Sequence, residues 1–241
     1  MNRLDSYFDR LRAATTLDHA DDMAIHYCPE LIDCIQQVGF LPLLDSSLLG
    51  YSAEGLLAEE CRFTQFDDGS WEWPLWQWKG PVVKEGNCVY GKFFAGKAAF
   101  VSRDWWPCFC TWRRHTRPQP EEGTIADIIL ATLRDNGSMI ARELRAVCDF
   151  TGSHMRSKFD AIVNRLQMGC YIVTEDFVYP VDKHGREYGF GWSLLTTPER
   201  LLGKEACRSS LTPQQCCQRM EQHLKAMLPR LDERQIKRIL T

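Results

Sequence analysis

Residues 124–204 carry the pattern that most restricts how this chain can fold: three short amphipathic helical segments followed by two strand segments. The first helical segment ends at Gly137, the second begins after Ser138 and the third begins after Ser153. Tight turns separate these helices, and a charged loop separates the two strands. This element order is that of a helix-turn-helix with a two-stranded wing. The sequence therefore predicts a winged helix in this part of the chain.

A segment rich in proline and glycine precedes this pattern. Residues 117–123 contain Pro118, Pro120 and Gly123, which disfavour both helix and sheet, so we predict a domain boundary there. The predicted parts are an N-terminal helical region at 1–66, a Trp-rich β segment at 67–116, the winged helix at 124–204 and C-terminal helices at 205–241. The predicted fold class is α+β.

Local sequence patterns predict the secondary structure of the remaining segments. Helices are predicted at 2–14 and about 20–38 from their apolar spacing. Four tryptophans around Pro74 and the turn residues after them indicate strands, and residues 88–102 indicate a hairpin that turns at Ala95-Gly96. In this hairpin we expect most of the aromatic side chains to be buried. The run Thr-Pro-Gln-Gln at 212–215 predicts a helix start with a capping box.

Composition excludes several classes of protein. The 241 residues are 44% hydrophobic and 25% charged, and no apolar run reaches the ~18 residues of a membrane span. Charges within the first 12 residues argue against a signal peptide, so a cytoplasmic protein without membrane contact is expected. The 11 cysteines are an odd number without a CxxC pair, which predicts reduced, mostly buried thiols, no metal site and no cofactor. The oligomeric state stays open.

Cations are distributed unevenly along the chain. The net charge is −3, but residues 79–114 hold seven bases against two acids. In the third predicted helix, small side chains lie opposite the apolar face and bases flank them, so the helix could enter the major groove while the bases hold phosphates. The predicted nucleic-acid-binding residues are Lys92, Lys97, Arg103, Arg113, Arg114, Arg156, Ser157, Lys158, Asn164, Lys183 and Arg186.

Two alternatives stay open beside DNA binding. From residue 153 to 186 the net charge is only +1, which is low for a DNA-binding surface, and a winged helix can also act as a protein-interaction adaptor. In the hairpin, Lys92, Lys97 and Arg103 either present cations to phosphates or only keep an aromatic hairpin solvated. DNA is the expected partner, with a protein partner as the alternative.

Several stretches resemble one family over about residues 31–203. They are Gly39-Phe40-Leu41-Pro42, the segment 90–107 (YGKFFAGKAAFVSRDWWP), Arg113-Arg114, Arg165-Leu166-Gln167-Met168 and Asp182-Lys183-His184-Gly185. They resemble the bacterial AlkZ-related proteins. The resemblance implies a distant relationship to the AlkZ-type winged-helix DNA glycosylases, which excise alkylated or crosslinked bases, and hence a role connected with DNA repair.

The resemblance also suggests that base excision is absent. AlkZ-type glycosylases carry a Gln-x-Gln or Gln-x-Asp motif that positions the attacking water, and Pro42 and Leu44 occupy the corresponding positions here. Neither side chain can accept a proton. Asp45 is the remaining weak candidate for a general base, and an active glycosylase with a divergent site is the alternative.

Overall fold

The computed structural model describes residues 25–44, 51–150, 152, 155–228 and 232–241. They form a mixed α and β fold around a six-stranded antiparallel sheet. Strands from both sides of the 117–123 segment build this sheet.

The elements follow one another in this order along the chain. The helices are α1 (Cys28–Val38), α2 (Pro74–Glu85), α3 (Trp106–Thr116), α4 (Ile125–Asn136), α5 (Ala141–Val147), α6 (Met155–Met168), α7 (Pro198–Leu202), α8 (Pro213–Met227) and α9 (Glu233–Leu240). The strands are β1 (Phe40–Pro42), β2 (Thr64–Gln65), β3 (Trp71–Glu72), β4 (Cys88–Phe94), β5 (Lys97–Ser102), β6 (Met139–Ile140), β7 (Val173–Val178) and β8 (Trp192–Thr196). Short 3₁₀ helices lie at Glu54–Leu56, Glu59–Cys61 and Glu205–Cys207.

The large sheet has the strand order β1-β5-β4-β7-β8-β6. The pair Tyr90 and Thr174 joins β4 to β7 and so connects the hairpin to the strands that follow α6. Strands β2 and β3 form a separate two-stranded ribbon. A single sheet therefore fixes the position of the hairpin relative to α6.

The prediction of a Trp-rich β segment at 67–116 needs correction. Residues Pro74–Glu85 form helix α2, and Trp106–Thr116 form helix α3. Both helices carry a proline in the first two positions, where a missing N–H costs nothing because it has no intrahelical partner. The tryptophans around Pro74 and the turn residues after them indicate strands in the sequence, but in the structure Trp73 and Trp76 stack on each other at the start of α2.

The predicted hairpin at 88–102 is confirmed. Its turn contains Ala95 and Gly96, both at positive φ, and the register between β4 and β5 shifts between Gly91 and Phe94. The aromatic side chains of the hairpin and of the start of α3 are buried, as expected, apart from the half-buried Trp105.

The three predicted helices after the linker are also present. Thr124 caps α4 by accepting a hydrogen bond from the Asp127 amide, and the capping box at Thr212 begins α8. Ser138 does not cap α5, which begins at Ala141; its hydroxyl bonds to Glu175 instead. The proposed cap of the third helix, Ser153, lies outside the described residues, as does the predicted helix 2–14. Within the predicted helix 20–38, α1 begins at Cys28.

Two apolar cores stabilise the fold. The smaller core lies among α4, α5, α6 and β8, and the larger core contains α1, both faces of the hairpin, α3, α8 and α9. All 11 cysteines are free thiols, and eight of them are buried. In the part of the chain that the structure describes, no helix is both long and apolar enough to cross a membrane. Nor do three or more His, Cys, Asp or Glu side chains of these residues come together as metal ligands.

Candidate nucleic-acid interface

Helix α6 buries one face and exposes the other. Phe159, Ile162, Val163 and Leu166 are buried in the smaller core, as their spacing predicts. The opposite face is open to solvent over Arg156, Ser157, Lys158, Ala161 and Arg165. Arg156 forms an exposed ion pair with Asp160 at 3.8 Å, a weak contact. The exposed face therefore keeps the small side chains and flanking bases predicted for it.

The hairpin packs against the C-terminal half of α6. The side-chain oxygen of Gln167 accepts a hydrogen bond of 2.9 Å from the backbone N–H of Lys92. At the hairpin turn, Gly96 lies so close to Asn164 that an added Cβ would be 2.8 Å from its Nδ2. Glycine is therefore required at this position, both for its positive φ and for this close approach.

These contacts decide the roles of the predicted residues in this region. Asn164 faces the hairpin turn and is half-buried, so it belongs to the packing of α6 and not to its exposed face. Lys92 and Lys97 are exposed beside α6. We call the following set the hairpin–helix surface. It consists of Lys92, Lys97, Arg156, Ser157, Lys158 and Arg165.

The structure does not bring Arg103 to this surface. Arg103 is exposed, but it follows the end of β5 and its amide bonds to the Asn87 carbonyl at the base of the hairpin. Lys97 begins β5 at the turn, six residues away, which is roughly 20 Å along an extended strand. The predicted grouping of Lys92, Lys97 and Arg103 is therefore corrected to the first two.

Arg113 and Arg114 are structural residues in this fold. Arg113 is 0% exposed, and its guanidinium donates to the backbone carbonyls of Phe93, Ile239 and Thr241. Arg114 pairs with Glu199 and donates to the Cys170 carbonyl at 2.8 Å. Neither guanidinium is free to hold a phosphate, so both residues are removed from the predicted interface.

Lys183 and Arg186, predicted to lie on the wing, are exposed in the loop between β7 and β8. They belong to a tight turn in which the Asp182 carboxylate accepts hydrogen bonds from the backbone amides of His184 and Arg186. Beyond this turn the loop contacts α2, since the Phe190 carbonyl accepts a hydrogen bond from the Trp76 indole. Neither residue takes part in the contacts described between the hairpin and α6.

Pro42 and Leu44, the positions that the family resemblance relates to the glycosylase motif, are apolar and packed. Pro42 pairs with Ala99 across β1 and β5 and is buried, and Leu44 is half-buried against the larger core. Asp45, the weak catalytic candidate, lies outside the described residues. The region therefore provides no proton acceptor at Pro42 or Leu44.

Two residues with clear structural roles were not predicted from the sequence. Gln167 is buried and links α6 to the hairpin, and Lys79 is buried where its amine bonds to the Phe190 carbonyl of the loop between β7 and β8. The sequence does contain one indication that Lys79 contacts an aromatic side chain, because Lys79 follows Trp76 by three residues and so lies on the same face of α2. Gln167 gave no such signal, since a glutamine near a helix end is usually exposed.

The stretches that carry the family resemblance meet in the structure. Gln167 bonds to Lys92, and Gly39 lies so close to Trp105 that an added Cβ would be 2.4 Å from its ring. A protein-family model described as AlkZ related matches residues 25–241. No curated protein and no solved structure matches the chain.

Proposed function

The chain belongs to the AlkZ-related family, and we propose that it is a DNA-binding winged-helix protein that does not excise bases. The order of the elements from α4 to β8 supports the winged helix. Strand β6 precedes α5, and it pairs with β8, which pairs with β7. In this arrangement α6 is the third helix, the one that enters the major groove in DNA-binding members of this class of fold.

The hairpin–helix surface is the observation that carries the proposal. It combines an exposed helix face of small side chains with cations contributed by two separate elements. Lys92, Lys97 and Lys158 form no ion pair with any residue that the structure describes, so their charges are available to phosphates. The hydrogen bond between Gln167 and Lys92 holds the two elements together.

The absence of base excision rests on Pro42 and Leu44. An attacking water needs a carboxylate or amide oxygen to orient it, and these two side chains offer only carbon. We expect no free base to be released from alkylated DNA, and no abasic site that alkali converts to a strand break. Release of a base at a measurable rate would contradict this part of the proposal.

Fluorescence anisotropy with a labelled duplex tests DNA binding. We expect the double variant K92A/K97A to bind more weakly and to reduce the slope of log K against log salt by up to about 2, because two phosphate contacts are lost. Arg103→Ala is the matched control, since it removes a cation of the same hairpin far from α6, and its slope should equal that of the wild type. An equal loss of affinity and of salt slope in K92A/K97A and in Arg103→Ala would show that DNA binding depends only on the overall charge of the protein.

A protein-interaction role is the second candidate, and a different surface favours it. Phe63, Phe66 and Trp71 are exposed in and around the β2–β3 ribbon, where Asp67, Asp68 and Glu72 are also exposed. Exposed aromatic side chains are typical of protein interfaces, and the acids there would repel a nucleic acid. If the wild type binds neither duplex nor single-stranded DNA at ~50 mM salt, this candidate replaces the first.

A further inference from the structure

A small pocket lies between the large sheet and α6, beside the hairpin–helix surface. Its lining residues come from strands β4, β5, β7 and β8 and from α6 and the start of α5. Two of them, Lys92 and Asp160, are exposed, so the pocket opens where the hairpin meets α6. Lys92 is also a member of the hairpin–helix surface. A DNA strand bound to that surface would therefore pass the mouth of the pocket.

The size of the pocket limits what it can hold. Its volume is about 130 Å³, and the buried side chains of Phe159, Val163 and Leu195 supply apolar wall. An enclosed apolar cavity of about 150 Å³ holds one benzene ring. The pocket therefore has room for a single six-membered ring, and the two fused rings of a purine are too large for it.

Gln167 brings an unused hydrogen-bond donor to this pocket. Its side chain is 5% exposed, and its oxygen accepts the hydrogen bond of 2.9 Å from the Lys92 amide. Its amide nitrogen bonds to no residue that the structure describes, although buried polar groups are normally paired. This nitrogen is not sealed inside the protein, so it faces the open space of the pocket that Gln167 lines.

Thr174 of β7 adds a second unused polar group. The residue is 2% exposed, and its hydroxyl forms no hydrogen bond with any described residue. Thr196 on the neighbouring strand β8 differs, because its hydroxyl is completely sealed and the residue does not line the pocket. One cation and one carboxylate, those of Lys92 and Asp160, stand at the mouth. The pocket thus suits an uncharged ring that carries hydrogen-bonding groups.

We propose that this pocket binds the unpaired pyrimidine base of a DNA strand held on the hairpin–helix surface. The inference rests on the DNA-binding function proposed above. A pyrimidine is a single six-membered ring, and its C2 carbonyl can accept a hydrogen bond from the Gln167 amide. The Thr174 hydroxyl can donate to the same edge of the base or accept from it. An unpaired base is the one that leaves the duplex at the least cost, and the phosphates stay outside with Lys92 and Lys97.

Fluorescence anisotropy with four labelled duplexes of equal length tests the inference. One duplex is fully paired, and the others contain a single unpaired thymine, a single unpaired adenine or a single unpaired abasic-site analogue. The analogue bends the duplex in the same way but has no base. We expect the thymine duplex to bind about tenfold more tightly than the analogue, because a bound base adds stacking and hydrogen bonds. The adenine duplex should bind no more tightly than the analogue.

Two pairs of variants connect this preference to the pocket. Thr174→Val should reduce the preference for thymine over the analogue at least about threefold, because the hydroxyl is lost. Thr196→Val makes the same change outside the pocket and should keep the preference. Ala141→Leu fills the pocket from α5 and should abolish the preference, whereas Ala146→Leu, at an exposed position of the same helix, should keep it.

The comparison among the four duplexes uses the wild type alone, so it does not depend on the folding of a variant. Equal affinity for the thymine and analogue duplexes would overturn the inference and leave DNA binding intact, and so would an equal gain with adenine. Failure to bind any of the duplexes would contradict both proposals. Equilibrium dialysis with labelled thymidine tests a free nucleoside as the source of the ring; thymidine that binds as tightly as the thymine duplex would overturn the assignment to DNA.

Discussion

Arg113 and Lys79 are both cations buried without an aspartate or glutamate partner among the described residues, and they show how differently one fold can use a buried charge. Arg113 on α3 bonds to the end of α9, and Lys79 on α2 bonds to the loop between β7 and β8. In both cases the partners are backbone carbonyls distant in sequence. The guanidinium has three such carbonyls, on Phe93, Ile239 and Thr241, whereas the amine has only that of Phe190.

Arg113, with three carbonyl partners, is permanently charged at neutral pH, whereas Lys79, with one, can titrate. Burial lowers the pKa of Arg113 only to about 10, so it stays charged at neutral pH, and the carbonyls at the end of α9 lie at the negative end of the helix dipole. Burial lowers the pKa of Lys79 to about 7, and its amine can lose its proton under ordinary conditions. A guanidinium that donates to three main-chain oxygens through its two terminal nitrogens acts as a structural clamp, although its Nε has no partner among the described residues, whereas a singly bonded amine can titrate.

The largest loss of stability should come from replacing Arg113. Arg113→Met leaves the Phe93 and Ile239 carbonyls without this donor in the protein interior and removes one of the two donors to the Thr241 oxygen, and we expect the free energy of unfolding to fall by about 3 kcal/mol or more. Urea denaturation followed by circular dichroism measures this change. The matched control is Arg117→Met, because Arg117 also bonds to the Thr241 carbonyl, at 2.8 Å, but is only half-buried.

We expect the control to cost about 1 kcal/mol or less. Equal losses of unfolding free energy in Arg113→Met and Arg117→Met would show that burial does not make Arg113 more important for stability than Arg117. Such a result would contradict the role given to Arg113 in the comparison with Lys79.

A smaller effect concerns the pH dependence of stability. In the unfolded chain Lys79 keeps its ordinary pKa of 10.5, so between about pH 7 and 8.5 the unfolded state binds a proton that the folded state has released. The free energy of unfolding of the wild type should therefore rise with pH relative to that of Lys79→Met, by about 1 kcal/mol per pH unit. Below pH 7 the difference should become constant, because both states are protonated.

Urea denaturation of the two proteins at several pH values gives this difference. Tyr179, which faces the same amine, keeps its proton in this window because burial raises its pKa. A difference that stays constant from pH 6 to 8.5 would mean that the buried amine does not titrate there.

The smallest effect on stability is expected for exposed cations. The double variant R156A/K158A removes two charges from the open face of α6, where Arg156 forms a weak ion pair with Asp160. We expect the free energy of unfolding to change by less than about 0.5 kcal/mol per substitution. If this double variant also weakens DNA binding, the exposed cations bind DNA and the buried cations stabilise the fold. A large loss of stability in the double variant would contradict this interpretation.

Elements defined by neighbouring residues could be predicted from the sequence. The apolar spacing of α6, the capping box before α8 and the turn at Ala95-Gly96 depend on residues a few positions apart, and all three are present. Helix α2 lies where the tryptophans around Pro74 and the turn residues after them predict strands. Stacking of Trp73 on Trp76 and the packing of α2 against β7 and β4 override that pattern.

The sequence by itself determined the three helices from α4 to α6, the hairpin, the two strands that follow α6, and the family to which the chain is similar. Only the tertiary structure decided which cations are available. Lys79 meets a carbonyl 111 residues away, and Arg113 meets one 128 residues away. Whether a charged side chain is buried depends on which segments distant in sequence pack against it. Local sequence patterns do not predict those contacts.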